Sequence, residues 1–178
     1  VQLMWPREED FGRDQCRPAG ASQIQAGLDA SGNIMGWYNR VVAPSVMRSH
    51  GWAGGAQSSF VDGIAVGSAV GNGDEPMPYA NAMTQRVVDY VEQQTGFTTG
   101  FWRSVGQSIS CFAVESAVDE LAVLAGVDPY AFRQKLLSGN TAALAVLNRA
   151  YTIAGGLGKS SATSGSTVTN YARGMALS

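Results

Sequence analysis

The segment QIQAGLDASGNIMGWYNRVV, residues 23–42, decides the fold of this chain. Ile24, Ala26 and Leu28 alternate with polar or small residues, a period of two that is typical of a half-buried strand. The sequence DASGN at 29–33 has the composition of a turn, and a second apolar run follows it directly. The segment therefore predicts an antiparallel β-hairpin.

Helical patterns begin further along the chain. Apolar residues recur at spacings of three or four from Ser108 to Gly126, where glycine ends the pattern. A second helix is predicted by Asp128 as N-cap and Pro129 at the first helical position. The segment NTAALAVLNRAYTIAGG at 140–156 predicts a third. The predicted fold class is α+β, with an antiparallel hairpin or sheet followed by a block of about three helices.

Two segments between the hairpin and the helices are less regular. Residues 43–78 are rich in glycine and small residues and are interpreted mainly as a loop region, with a short helix around 58–69. Residues 83–96 carry β-branched and aromatic side chains, which favour a strand over a helix. In that strand Arg86, Val88 and Tyr90 would face one side, and the intervening residues the other.

The ends of the chain also carry strand-like sequence. Val1 to Trp5 is a short apolar run, and the polar segment that follows it predicts a connection between strands. Residues 157–167, LGKSSATSGST, are interpreted as a flexible link, and residues 168–178 would begin another strand. We expect residues 1–178 to form a single domain cut from a longer chain.

The composition excludes several classes of partner and site. The chain has 12 Lys and Arg residues against 14 Asp and Glu, a net charge of −2 that argues against a nucleic-acid partner. It has no apolar run of about 18 residues, so no membrane span is predicted. The two cysteines, Cys16 and Cys111, form no CxxC pattern, and we expect ordinary thiols rather than a zinc site.

Two familiar catalytic motifs are not supported. A Ser-His-Asp triad would require His50, the only histidine, and the chain has no GxSxG motif. We expect His50 in a solvated loop. The sequence GGLGKSS at 155–161 suggests a phosphate-binding loop, but Ile153 stands where that motif needs glycine. A link between a helix and a strand explains this segment better.

Acidic residues of the first long helix have two possible roles. Glu115 and Asp119 lie one turn apart, and they form either a carboxylate pair or part of a solvated face. The residues around Glu115 are almost entirely apolar. If its carboxylate is buried, it must be paired with a cation or a hydrogen-bond donor.

The segment TGFWRSVGQS at 99–108 is the strongest candidate for a binding site. Arg103 stands just before the predicted helix start at Ser108, where backbone amides attract negative charge. Gly100 and Gly106 would allow close approach of a ligand to the backbone. The alternative is a strand-to-helix turn whose arginine pairs with an acid of the first helix.

A second candidate lies near the start of the chain, where Arg17 follows a dense cluster of charged residues. One interpretation is a polar connection. The other is a site in which Asp14 or Glu9 fixes Arg17, so that its guanidinium offers two donors to an anion or a carbonyl group.

Four stretches in this order resemble the large, molybdopterin-binding subunit of the molybdenum hydroxylases, the xanthine dehydrogenase and aldehyde oxidase superfamily. They are WPREEDFGRDQCRPAG, QAGLDASGNIMGWYNR, TGFWRSVGQS and FAVESAVDELAVLAGVDPYAFRQKLL. The resemblance is strongest to the isoquinoline 1-oxidoreductase beta-subunit branch. It covers nearly the whole chain and is weakest over 43–78.

The resemblance implies oxidation of an N-heteroaromatic compound or an aldehyde, with water as the oxygen source. It implies a molybdenum-molybdopterin cofactor in its cytosine dinucleotide form. Electrons would leave through a small subunit that carries [2Fe–2S] clusters. The remainder of the large subunit would complete the site.

The resemblance also assigns roles to residues of this chain. Arg17 would orient the substrate, and Glu115 would support the cofactor loop without taking part in catalysis. No residue of the chain is expected to ligate the metal. The residues expected to bind the cofactor are Trp102, Arg103, Ser104, Val105 and Gly106.

The sequence departs from the family pattern in three places. A Gly-Phe-Gly loop and a Gly-x-Gly-Glu stretch are not found in these 178 residues, and Gln107 stands where the branch often has histidine. We therefore expect a fragment that is inactive by itself, from a bacterial protein of the periplasm or the cytoplasm. The alternative is a non-catalytic module of a degenerate relative, kept for subunit assembly.

Overall fold

The computed structural model describes residues 2–51, 62–69, 71–72, 75–104, 106–164 and 167–177. Its helices are α1 (Arg7–Arg13), α2 (Val46–Ser49), α3 (Gly63–Val66), α4 (Gln107–Leu124), α5 (Pro129–Leu136) and α6 (Thr141–Ala154). Its strands are β1 (Ala21–Leu28), β2 (Ile34–Ala43), β3 (Gly71–Asn72), β4 (Glu75–Pro76), β5 (Arg86–Glu92), β6 (Lys159–Ser164) and β7 (Thr167–Ala172).

The predicted hairpin is confirmed as β1 and β2, which pair antiparallel. Its turn is closed by the carboxylate of Asp29, which accepts hydrogen bonds of 2.8 Å from the amides of Ser31 and Asn33. The hydrogen bonds from Asn33 hold the pKa of Asp29 below its ordinary value. The sheet gains a third strand when β5 pairs parallel to β2, giving the order β1-β2-β5.

The two sides of the sheet differ as the sequence predicts. Trp37 and Val41 of β2 are buried, on the side where α4 packs across β1. On β5, Val87 and Val91 are exposed while Val88 and Tyr90 are partly buried against the core. The predicted strand within 83–96 and its two faces are therefore confirmed.

The three predicted helices are confirmed, and local signals explain their limits. The carboxylate of Asp128 accepts hydrogen bonds from Tyr130 and Ala131, which caps α5 at the predicted residue. Gly155 ends α6 in the left-handed conformation, with φ of 69°. The main core joins the sheet to these helices; its buried members include Trp37, Tyr79, Val114, Val118, Leu121, Phe132, Leu136 and Leu147. The fold class is thus α+β, a small mixed sheet followed by helices.

The first residues of the chain depart from the prediction. Residues 2–6 form no strand, and the expected polar connection contains the helix α1. Three acidic residues lie in its first turn and Arg13 in its last, an arrangement that favours the helix dipole. The helix has no buried residue. It therefore depends on local charge interactions rather than on packing.

The last residues also differ. The expected flexible link contains the strand β6, which pairs antiparallel with β7. Residues 173–177 form no strand, although Met175 and Leu177 pack against the main core. Much of the glycine-rich region lies outside the described residues. Its described part includes α2, α3 and a short 3-10 turn at Gly67–Ala69, in agreement with a short helix near 58–69. None of the described helices is long and apolar enough to span a membrane.

Candidate functional site

Two loops that are far apart in the sequence meet in front of the first turn of α4. We call residues 14–20 the N-terminal loop, and residues 98–104 with 106 the central loop. A parallel β-bridge joins them: the amide of Cys16 donates to the carbonyl of Thr98 (3.0 Å), and the amide of Gly100 to that of Cys16 (3.1 Å). A Cβ atom on Gly100 would overlap the side chain of Gln15. Glycine is therefore needed here for loop packing.

Arg17 is held by the central loop and by α4. Its Nη1 atom donates to the hydroxyl of Ser108 and to the carbonyl oxygen of Arg103, the latter at 3.4 Å. Its guanidinium carbon lies 5.2 Å from the ring centre of Trp102, within the range of a cation–π interaction. The indole of Trp102 donates in turn to the carbonyl of Gln15 at 2.9 Å. Arg17 is therefore fixed at one edge of its guanidinium.

The prediction that Asp14 or Glu9 fixes Arg17 is wrong. Glu9 accepts a hydrogen bond from Arg13 one helical turn away, at 3.0 Å. The carboxylate of Asp14 accepts from the amide of the next residue, Gln15. Both carboxylates therefore accept hydrogen bonds from groups close to them in sequence rather than from Arg17. Throughout the described ranges, no carboxylate pairs with Arg17.

Arg103 lies beside Arg17 on an exposed part of the central loop. The alternative that it pairs with an acid of the first long helix is not observed, since Arg103 makes no ion pair within the part of the chain that is described. Two acids of that helix, Glu115 and Asp119, form ion pairs with Arg133 instead. Arg17 therefore contacts the backbone of Arg103 just before α4, and no acid among the described residues pairs with either arginine.

The turn into α4 has an unusual backbone. Ser104 has φ of 68°, the one positive φ at a described residue other than glycine. Its carbonyl accepts a hydrogen bond from the amide of Gln107 (2.8 Å), and its hydroxyl lies 2.7 Å from that of Ser108. Gly106 is the N-cap of α4, and no side chain caps the helix there. Val105, also expected to bind the cofactor, lies outside the described residues.

Gly67 packs closely against the backbone of this turn, a contact that the sequence analysis did not predict. A Cβ atom on Gly67 would overlap the backbone of Gly106 and Gln107, and the φ of Gly67 is 43°. Ser110 also ties the turn to the helix, because its hydroxyl donates to the carbonyl of Gly106 at 2.7 Å. The glycine-rich composition of residues 43–78 indicated close backbone packing, but it could not show that Gly67 packs against the start of α4.

Glu115 is buried and paired, as expected of a carboxylate among apolar neighbours. Arg133 of α5 donates to it from Nε (2.9 Å) and Nη2 (2.7 Å), and from Nη1 to Asp119 (2.5 Å). Burial raises the pKa of Glu115, and the adjacent guanidinium opposes this effect. Burial alone would lower the pKa of Arg133, but Asp119 and Glu115 raise it instead. The arginine therefore stays charged inside the fold.

His50 does not lie in a solvated loop as expected. It caps the C-terminal end of α2, where its Nδ1 atom is 3.0 Å from the carbonyl oxygen of Val46. Its ring is half-buried and lies 4.7 Å from the ring of Phe101, measured between centroids. This contact packs α2 against the central loop. Cys16 and Cys111 form no disulfide with each other, and the Sγ atom of Cys111 lies 3.5 Å from the carbonyl oxygen of Leu177.

The polar side chains of the central loop and of the first turn of α4 include no carboxylate. The donors here, among the described residues, comprise two arginine side chains without acidic partners, two hydroxyls, and a helix N-terminus with no side-chain cap. Such a set fits an anionic, oxygen-rich group and would disfavour a free cation. Among the described residues, no three of His, Cys, Asp and Glu cluster so as to hold a metal ion. A metal bound here would have to bring its own ligands, as a metal held by an organic cofactor does.

Residues 1–137 match the family model of the molybdopterin cofactor-binding domain. The match includes both loops, the three-stranded sheet, α4 and α5. A search of curated proteins found no match.

Proposed function

The chain belongs to the molybdopterin cofactor-binding domain family, and from this premise we propose that its two loops contact the molybdenum cofactor of an oxidoreductase. The main support is that Arg17 and Arg103, in the two loops before α4, have no acidic partner among the described residues. Two exposed cations on neighbouring loops create a positive potential that attracts an anion. The phosphate and dithiolene groups of a molybdopterin supply that negative charge.

Each residue of the site has a separate task in this proposal. Arg103 and the turn at Ser104 to Gly106, with Val105 between them, bind the cofactor through charge and backbone amides. Trp102 holds Arg17 in place through the cation–π contact. Arg17 orients the substrate with the guanidinium nitrogens that have no described partner. The bound cofactor supplies the two-electron oxidation.

We further propose that the intact enzyme belongs to the isoquinoline 1-oxidoreductase branch and oxidises an N-heteroaromatic compound or an aldehyde with oxygen from water. Four ordered stretches of sequence support this assignment. The cofactor would carry a cytosine dinucleotide, and a [2Fe–2S] subunit would accept the electrons. Arg17 would stabilise the negative charge that develops on the substrate as the water-derived oxygen attacks it. Stabilisation of developing charge is often the largest electrostatic contribution to catalysis.

The proposal is tested by measuring molybdenum and pterin per polypeptide in the intact subunit, expressed with the cofactor supplied. Arg103→Ala should lower occupancy severalfold, because the cofactor loses a charge-assisted contact. Arg149→Ala is the matched control, since Arg149 is exposed on α6 and distant in sequence from both loops. A wild-type subunit without molybdenum and pterin would rule the proposal out.

A second function, subunit assembly without catalysis, is supported by a different observation. An open groove of about 840 Å³ runs between β1 and α4. On the exposed face of α4, Phe112, Val123 and Leu124 are 78%, 76% and 71% exposed. Apolar side chains so exposed are typical of a surface that another chain or domain covers.

The two functions give opposite results in one experiment. If the chain serves assembly alone, Phe112→Asp should break the complex with the partner subunit while Arg103→Ala leaves it intact. The wild-type complex should then contain no molybdenum. If Arg103→Ala lowers molybdenum content in an otherwise intact complex, the cofactor-binding function is favoured.

A further inference from the structure

The hydroxyl of Ser108 connects the two loops of the candidate site, and the resemblance assigns this residue no role. It accepts a hydrogen bond from Nη1 of Arg17 and lies 2.7 Å from the hydroxyl of Ser104. We propose that Ser108 is a positioning residue in a directed chain of hydrogen bonds, Arg17 to Ser108 to Ser104. The end of that chain is a hydrogen on Ser104 that is free to bind an acceptor oxygen.

The direction of the chain follows from what each group can donate. Arginine has no acceptor atom, so the oxygen of Ser108 must accept from it. The remaining hydrogen of Ser108 has one acceptor among the described residues, the oxygen of Ser104. The positive charge of Arg17 polarises Ser108 and strengthens it as a donor while weakening it as an acceptor. The favoured order is therefore Arg17 to Ser108 to Ser104.

The hydroxyl of Ser104 is then left with its own hydrogen to donate. Ser104 is exposed, and it lies in the turn that follows Arg103 with a positive φ. A hydroxyl polarised by a chain that starts at a cation binds a negatively charged or strongly polar oxygen well. The ligand group is thus an oxyanion or an acceptor oxygen on the bound cofactor. This inference rests on the proposed cofactor-binding function.

The test measures cofactor release from the intact loaded subunit, as loss of molybdenum and pterin during dialysis. Ser104→Gly and Ser108→Ala should each speed release roughly tenfold, the loss expected for one charge-assisted hydrogen bond. The double variant should release no faster than either single one, because both break the same chain. Ser108→Thr, which keeps the hydroxyl, should restore slow release. Ser116→Ala on the same helix is the control.

Two variants separate the hydroxyl from the backbone at Ser104. Glycine tolerates the positive φ and alanine does not, but both lack the hydroxyl. If release is fast in Ser104→Ala and normal in Ser104→Gly, backbone strain explains the effect and the proposal is wrong. It is equally wrong if Ser108→Ala has an effect and Ser104→Gly has none, since Ser108 would then act through Arg17 alone. A wild-type subunit without cofactor would instead overturn the function on which the inference rests.

Discussion

Arg133 donates two hydrogen bonds to the carboxylate of Glu115, from Nε at 2.9 Å and from Nη2 at 2.7 Å, with both side chains buried in the contact between α4 and α5. Removing one partner of a buried ion pair leaves the other charge without compensation. We predict that Glu115→Gln lowers the free energy of unfolding by about 3–5 kcal/mol. Urea unfolding of the 178-residue chain measures the change.

Asp119 provides the control for that measurement. It binds the same arginine, but its side chain is 44% exposed, so water can replace it. Asp119→Asn should lower the free energy of unfolding by about 1 kcal/mol or less, the range for exposed ion pairs. Equal losses in the two variants would show that burial of Glu115 does not decide its contribution.

Local signals account for the parts of the fold that the sequence predicted. The turn at 29–33, the cap at Asp128 and the glycine at 155 each act within a few residues, so they can be recognised without knowing the fold. The parallel pairing of β5 with β2 brings together residues about fifty positions apart. No local pattern specifies such a pairing, and the sequence analysis did not predict it.

The same distinction applies to the candidate site. Arg103 and its glycines could be proposed from the sequence because charge and small residues cluster in one short segment. The contact between Arg17 and Ser108 spans 91 positions, and the role of Gly67 depends on a turn packing under α4. Arg17 was predicted to bind nearby acids because only sequence neighbours could be considered. In the structure those acids are satisfied by Arg13 and by the backbone.

Arg17→Ala tests whether this residue acts on substrate or holds the cofactor. If Arg17 orients the substrate, the intact enzyme should lose about 10²-fold or more in kcat/KM, the effect expected when a group that stabilises developing charge is removed. Its molybdenum content should fall much less. Arg13→Ala, which removes a neighbouring exposed arginine, should change neither quantity. A parallel loss of molybdenum and activity would show that Arg17 is structural.

Gly67→Ala should damage the turn into α4. The added methyl group would overlap the backbone of Gly106 and Gln107, and the positive φ adds strain of about 1–3 kcal/mol. We expect lower molybdenum and pterin content in the intact subunit, together with a lower melting temperature. Gly63→Ala is the matched control, since nothing lies within 4 Å of a Cβ atom there. Normal cofactor content in Gly67→Ala would show that the turn tolerates displacement.

Asp89 on the outer side of the sheet should make stability depend on acid pH. The hydroxyl of Tyr38 donates to its carboxylate at 2.6 Å, and Nη2 of Arg40 donates at 2.7 Å. These contacts hold the pKa of Asp89 below its ordinary value. Because the pKa of Asp89 is lower in the folded state than in the unfolded state, its carboxylate stabilises the fold at pH values above the unfolded-state pKa. This contribution is lost as the pH falls through the folded-state pKa. Asp89→Asn should therefore reduce the loss of stability below about pH 4. Urea unfolding measured in steps of about one pH unit, from roughly pH 2 to roughly pH 6, gives the difference. Identical pH profiles for the variant and the wild type would show that these hydrogen bonds contribute nothing to stability in solution.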